Sequence, residues 1–238
     1  MKKLGVNIDH IATLRQVRAA SYPEPLQASY LVQNAGADNI TIHPREDQRH
    51  IQKRDAYLIR EACSLPLNIE MALNEDIMAT VLDVCPDEIC IVPENRNELT
   101  TEGGLDVAAA YKKLEKFIPL AKDRHITVSL FIEHSREVVD LSYKLGADAV
   151  EIHTGAYADA ETPQAQDILL KKINDIAYYA DSLGLIVNAG HGLNYQNVKP
   201  IVDIDPIRTL NIGHAIVSRA VFVGLERAVR DMKILISC

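Results

Sequence analysis

The sequence has no excess of basic charge, no long apolar run, no paired cysteines and no glycine-rich nucleotide fingerprint. Each lack removes a class of function. Lysine and arginine number 25 against 33 aspartates and glutamates, a formal net charge of −8. A general nucleic-acid or anionic-membrane binder needs a basic surface, so neither partner is expected. A local phosphate site built from a few arginines and backbone N–H groups stays open. No stretch of about 18 apolar residues exists to cross a membrane as a helix. The start, Met1-Lys-Lys-Leu-Gly-Val-Asn-Ile-Asp-His10, is broken by Asp9 and His10 before any apolar h-region forms, so no signal peptide is expected. Cys63, Cys85, Cys90 and Cys238 show no CxxC spacing, which fits reduced thiols in a cytoplasmic protein.

What is present is a regular alternation. The chain has 238 residues, 47% hydrophobic and 24% charged, the balance of a soluble globular protein. Short apolar strands are expected at Leu4–Ile8, Asn39–Ile42, Leu67–Glu70, Glu88–Val92, Thr127–Ile132, Ala149–Ile152, Leu185–Val187 and Thr209–Ile212. Amphipathic helices are expected between them, at Pro25–Ala35, Arg54–Cys63, Asn74–Val84, Leu105–Asp123, Glu137–Leu145, Thr162–Leu183, Tyr195–Val202 and His214–Ile236, the last allowing a break into two. Eight βα repeats imply an α/β fold of the closed (β/α)8 TIM-barrel class. An open doubly wound sheet would usually carry a Gly-rich turn after its first strand, and Val6-Asn-Ile-Asp-His-Ile11 has none. No linker or low-complexity run divides the chain, so one domain over residues 1–238 is expected. Two long loops, Ile11–Glu24 and Asn95–Gly104, exceed what a minimal barrel needs. A faint internal repeat relates Ala35-Gly-Ala-Asp-Asn-Ile-Thr-Ile-His43 to Leu145-Gly-Ala-Asp-Ala-Val-Glu-Ile-His153. Duplication of a half-barrel or a shared loop solution accounts for it.

Active sites of such barrels lie where the strands end, and there the polar residues gather. His10, His43, His153, His191 and His214 all fall at strand ends. The last two strands run into Asn188-Ala-Gly-His-Gly192 and Asn211-Ile-Gly-His214, turns suited to phosphate. Gly213 with His214 would open a helix whose unpaired N–H groups face the ligand. Arg15, Arg18, Arg45 and Arg49 in the first two loops offer a second phosphate grip, or are solvated charges. His43, Glu70 and His191 are candidates for proton transfer; the alternative for Glu70 and Glu151 is a buried ion pair with Arg45 and a lysine. Metal is not expected, since HxH and HExxH spacings are missing. No lysine stands at a strand end, which argues against a protein Schiff base. On residues alone, a single-phosphate isomerase or epimerase and a non-catalytic binder of phosphorylated metabolites stay open.

Longer motifs narrow the choice. Val6-Asn-Ile-Asp-His-Ile-Ala-Thr-Leu-Arg15, His43-Pro-Arg-Glu-Asp-Gln-Arg-His50, Thr100-Thr-Glu-Gly-Gly-Leu-Asp106, Glu151-Ile-His-Thr-Gly155, Val187-Asn-Ala-Gly-His-Gly192 and Leu210-Asn-Ile-Gly-His-Ala215 resemble the pyridoxine 5′-phosphate synthase family nearly end to end. Pro44 departs from a usually less rigid residue and stiffens that loop. The resemblance implies a (β/α)8 enzyme that condenses 1-deoxy-D-xylulose 5-phosphate with 3-amino-2-oxopropyl phosphate. The products are pyridoxine 5′-phosphate, phosphate and water. It implies His43 as a base, Glu70 as a second proton acceptor, His191 as a proton donor and Glu151 as the stabiliser of transition-state charge. Asn7, Arg18, Gly192, Gly213 and His214 would bind the aminoketone phosphate. Asp9, His10, Arg45, His50 and Thr100 would bind the deoxyxylulose phosphate. The resemblance further implies no metal or organic cofactor, a homo-octamer of dimers with Arg18 reaching a neighbouring site, and a closing loop that includes Thr100–Gly104.

Overall fold

Period-two alternation runs through the strands and decides which side meets the helices. In the computed structural model, which describes residues 1–93 and 103–237, the order is β1 (Lys3–Asn7), α1 (Asp9–Val17), α2 (Pro25–Asn34), β2 (Asn39–Ile42), α3 (Lys53–Ala62), β3 (Leu67–Met71), α4 (Glu75–Val84), β4 (Glu88–Ile91), α5 (Val107–Lys122), β5 (Thr127–Ile132), α6 (Arg136–Lys144), β6 (Ala149–His153), α7 (Gly155–Ala158), α8 (Pro163–Ser182), β7 (Ile186–Gly190), α9 (Val198–Val202), β8 (Ile207–Ile212), α10 (His214–Val223) and α11 (Leu225–Ser237). The strands are parallel and close in sequence order, β8 pairing back onto β1. The expected barrel is the fold.

One set of strand positions is apolar. Leu4, Val6, Ile40, Ile42, Ile89, Ile91, Leu130, Ile132, Val150 and Ile152 are fully buried in one cluster with helix residues such as Val32, Ile59, Val81 and Phe117. Each such side chain contributes roughly 1.5–3 kcal/mol by leaving water. The alternate positions are polar and face the axis. Asn188 of β7 donates from Nδ2 to Glu88 Oε1 of β4 at 3.1 Å, a contact across the interior because those strands are not neighbours. Asn211 Nδ2 on β8 donates to Glu151 Oε2 on β6 at 2.6 Å. Barrels of this class usually fill the axis with branched apolar side chains. Here the interior is largely polar, and Cys90, Val92 and Phe131 form a small apolar cluster apart from the main core.

The Gly-Ala-Asp repeat has a structural cause. Gly36 and Gly146 take φ of +92° and +77° after α2 and α6, ending those helices. Asp38 then accepts the Leu4 N–H at 2.6 Å, and Asp148 accepts the Val128 N–H at 3.0 Å. The same device recurs before β4, where Asp87 accepts the Leu67 N–H at 2.8 Å and Cys85, at φ +52°, turns the chain without a glycine. A third instance outside the repeat favours a shared loop solution over duplication.

Several boundaries differ from the sequence expectation. The long loop expected from Ile11 to Glu24 begins as helix α1. Its buried positions are Asp9, Ala12 and Arg15, so no apolar stripe announces it. The single turn α7 was likewise not expected. Strand β7 runs on through Asn188 to Gly190, so the polar residues read as a turn are partly strand. The last helix is two, a break the sequence had allowed, divided at Gly224 with φ +83°.

Candidate active site

A cavity of about 710 Å³ opens where the strands end. It brings together Asn7, Asp9, His10, His43, Arg45, His50, Glu70, Glu151, His191, Gly192, Gly213 and His214, contributed by all but two of the eight βα units. Arg18 is exposed and does not line this cavity. Thr100 lies outside the described residues, as do Glu94, Asn95 and Arg96 and most of the loop expected to close.

The acid–base groups sit in the middle of the wall. His43 Nδ1 lies 3.6 Å from Glu70 Oε2, with the Glu70 side chain 19% accessible. Burial, then the neighbouring charges of Asp9 and Glu151, hold Glu70 well above the ordinary carboxylate range, against a smaller pull from Asn7 and Arg45. Glu151 is pushed up to about 7 by burial, opposed by the Asn211 hydrogen bond. It is not paired with a lysine as the alternative required; Asn211 is its donor. Gly190 is needed beside it, since a Cβ there would fall 2.1 Å from Glu151 Oε1. A buried carboxylate near neutrality can hold or give up a proton at working pH, which is what general acid–base work needs. Burial also lowers the pKa of His10, His50 and His191, so these rings favour the neutral form.

Asp9 is occupied by the backbone. Its Oδ1 accepts the His43 N–H at 2.9 Å, its Oδ2 accepts Asn7 Nδ2 at 3.0 Å, and its own N–H donates to Asn7 Oδ1 at 2.9 Å. It thereby fixes where His43 leaves β2. Asp9, His43 and Glu70 offer one ligand atom each within 4.8 Å of one another. Those atoms could reach a cation, but Asp9 already serves two donors.

Two parts of the wall suit anions. Gly213 starts α10 with no side chain capping it, and Gly192, at φ +75°, brings backbone to the same edge. The first-turn N–H groups and the helix dipole attract phosphate. The His10 and His214 rings stand 5.1 Å apart there. Arg45, Arg49 and His50 supply the other part, although Arg49 also grips Asp47 through Nη2 at 2.6 Å. Arg15 does neither of the things expected of it. It is buried, with Nη1 and Nη2 on the two Asp55 oxygens at 2.9 and 2.6 Å, and Nη1 on Glu24 at 3.1 Å. The sequence offered no sign of this because Asp55 is forty positions away on α3. Thr13, Asn194 and Asn211 also line the cavity and had been given no role. Asn211 could have been found from its place in the second Asn-Gly-His turn; Thr13 needed α1 to be seen.

The family model of the pyridoxal phosphate biosynthesis protein PdxJ matches residues 4–238. The chain belongs to the PdxJ family. Among the relatives of this family member is the pyridoxine 5′-phosphate synthase of Photobacterium profundum, 52% identical over 231 residues, covering 97% of this chain and 95% of the relative. That of Pseudoalteromonas translucida is 53% identical over 230 residues, with the same coverage. The PdxJ family is one of biosynthetic enzymes, and this chain is an enzyme. Among solved structures, KGPDC from Streptococcus mutans superimposes with a TM-score of 0.68 at 14% identity, covering 99% of this chain and 97% of that one. A phosphoribosylanthranilate isomerase from Thermotoga maritima gives 0.62 at 12% identity, covering 100% and 99%. At that identity the likeness is one of fold.

Proposed function

We propose that this chain is a pyridoxine 5′-phosphate synthase acting in the cytoplasm on two phosphorylated substrates, 1-deoxy-D-xylulose 5-phosphate and 3-amino-2-oxopropyl phosphate. One observation carries the reading: a single cavity holds two anion-attracting walls and, between them, His43 and His191 with two carboxylates, Glu70 and Glu151, that burial holds above their ordinary range. An isomerase of one sugar phosphate needs only one such wall.

The chemistry suits these residue types. The amine of one substrate and the ketone of the other form an imine between themselves, so no protein lysine is required. Phosphate leaves, water adds, and the ring closes by aldol-type attack and dehydration. Each step moves a proton. His43, held by Asp9 and beside Glu70, takes the first role as base; Glu70 accepts a later proton; His191 donates one. Glu151 stabilises charge at the transition state, held by Asn211. Asn7, Gly192, Gly213 and His214 hold the aminoketone phosphate, and Asp9, His10, Arg45, His50 and Thr100 the deoxyxylulose phosphate. No metal or organic cofactor takes part.

The assembly is a homo-octamer of dimers, in which Arg18 completes the site of a neighbouring copy. Support comes from its position: Arg18 is exposed, and Leu14, Val17 and Tyr22 near it are 53%, 76% and 74% exposed, a face that suits another copy of the chain.

The test is incubation of the purified protein with both substrates, the aminoketone made in situ, with mass spectrometry for pyridoxine 5′-phosphate. Product that requires both substrates is expected. Turnover of one sugar phosphate alone would replace this reading with the isomerase, and ligand binding without product would replace it with a binder. Mixing Arg18→Ala with His43→Asn, each inactive alone, tests the shared site: activity regained on mixing is expected only if Arg18 acts across copies.

A further inference from the structure

His191 occupies an unusual position. It follows β7 with φ +79°, a left-handed backbone that costs a non-glycine residue roughly 1–2 kcal/mol. Thr154 holds it there, with Oγ1 2.7 Å from the carbonyl oxygen of Gly190 and 2.5 Å from that of His191. The His191 ring lines the cavity, and behind it stands a second ring that does not. His153 lies 5.3 Å from His191, centroid to centroid, tilted by 60°. Gly155 passes beneath both: a Cβ there would fall 2.4 Å from His153 Nε2 and 3.0 Å from His191 Cδ2.

His153 is itself fixed on its other sides. Its Nδ1 is 2.8 Å from Glu133 Oε1. Its carbonyl meets His134 Nε2 at 2.8 Å, and its ring packs 5.2 Å from Phe131. Glu133 Oε1 also accepts the Gly104 N–H at 2.8 Å, which ties the carboxylate to the chain entering α5. The carboxylate therefore sets the ring: Nδ1–H points at Glu133, and Nε2 is left toward Gly155 and His191.

We propose that Glu133 and His153 are a positioning pair for His191, holding its ring in place against the cavity. Neither residue lines the cavity, so they act on the reaction through His191 and not on substrate. The inference rests on the role given above to His191 as proton donor. Among the described residues, the charged and titratable groups facing this cluster are Glu133 and His134 at the end of β5, His153 at the end of β6, Asp159 at the end of α7 and Lys172 of α8, which acts on His134. Burial lowers the His191 pKa first and the charge of His153 lowers it further, against a smaller raising effect of Asp159. Glu133 is held below its usual range chiefly by the bond from His153. Glu133 holds the His153 ring against His191, and His153 lowers the His191 pKa, so losing either residue weakens that effect and raises the His191 pKa.

The test is the kcat pH profile of the full-length protein with both substrates, alongside NMR titration of isotope-labelled histidine to read His191 directly. Glu133→Gln and His153→Gln should lower kcat about tenfold, well short of the roughly 10²–10⁴-fold due to a lost proton donor. KM for both substrates should stay within about twofold. The His191 titration and its kinetic limb should move up by about half to one pH unit. Glu133→Asp, which keeps the charge, should restore most of the shift. His191→Asn is the control. If it is inactive while Glu133→Gln leaves the profile and the His191 titration at wild type, the pair has no positioning role. If His191→Asn keeps wild-type turnover, the role of His191 fails instead. Should His153→Gln not fold, Glu133→Gln gives the same reading.

Discussion

At the rim where the strands begin, Asp38, Asp87 and Asp148 each receive a strand N–H and a cation: Lys233, Arg60 and Lys122 respectively. At the rim where they end, Glu151 is buried and Glu70 largely so, both near other carboxylates, and they receive much less. The first rim uses its acids for stability: one oxygen of Asp38 and one of Asp87 each serve both donors, and Asp148 divides its donors between two oxygens. The second holds these two carboxylates above their ordinary range, a condition that costs folding free energy and suits proton transfer. The same residue type thus has opposite uses, and the surroundings decide which.

The comparison breaks most visibly at Glu70. Glu70→Gln keeps the shape and loses the proton, so turnover should fall about 10²–10⁴-fold, while the circular dichroism spectrum and melting temperature stay near wild type. Unchanged turnover would mean that Glu70 is a neutral wall and that its raised pKa has no use. Arg15 offers the second-largest effect, on stability. Arg15→Met takes both guanidinium bonds from the fully buried Asp55 carboxylate and leaves it the Gln52 N–H and Arg54 Nε at 3.6 Å, a change of about 3 kcal/mol. It should lower the melting temperature by roughly 10 °C. A loss under about 1 kcal/mol would show the pair to be replaceable.

How much of this was legible in the sequence differs between the two rims. The site was legible because its histidines and glycines sit at strand ends, and strand ends are marked by where apolar runs stop. The resemblance then attached roles to His43, Glu70 and Glu151 that spacing alone left open. Arg15 was misjudged because its partner is distant in sequence, and α1 was read as loop because it buries an aspartate and an arginine where a helix usually buries leucines. The polar interior was also missed. Asn68, Ser129 and Asn188 lie between apolar residues, Glu88 opens its strand directly after Asp87, and four- to six-residue strands are too short for alternation to separate axis from helix side. The tethering aspartates were half seen: the repeat showed Asp38 and Asp148, but Asp87 lacks the preceding glycine.

Glu88 sharpens the comparison from inside the barrel. Burial pushes it up to about 7 from 4.5, with Lys3 and Asn188 pulling the other way. Its folded pKa lies above the unfolded one. The linked stability is therefore complete below about pH 4.5 and is lost as pH rises through about 7. Glu88→Gln removes that dependence while keeping an acceptor for Asn188. At pH 8 the variant should be more stable by about 1–3 kcal/mol, since the site is partly accessible and the full shift is not realised. Thermal melts at pH 4.5 and pH 8 decide it. Equal curves at both values would mean that Glu88 ionises as it does in water.

The smallest effect belongs to the rim that looks most conventional. Asp87→Ala leaves the N–H of Leu67, a residue 1% exposed, without its side-chain acceptor and takes the exposed Arg60 pair with it. The ion pair is worth little at such a site, so the stranded N–H sets the loss, about 1–2 kcal/mol. The melting temperature should fall by about 2–4 °C per kcal/mol, with kcat and KM unchanged. Asp87→Asn retains an oxygen acceptor and lacks the charge, so it should recover most of that loss; equal losses for both variants would assign the stability to the ion pair and not to the backbone tether. A change in kcat would be the more serious result, because it would couple the two rims that the distribution of carboxylates keeps separate.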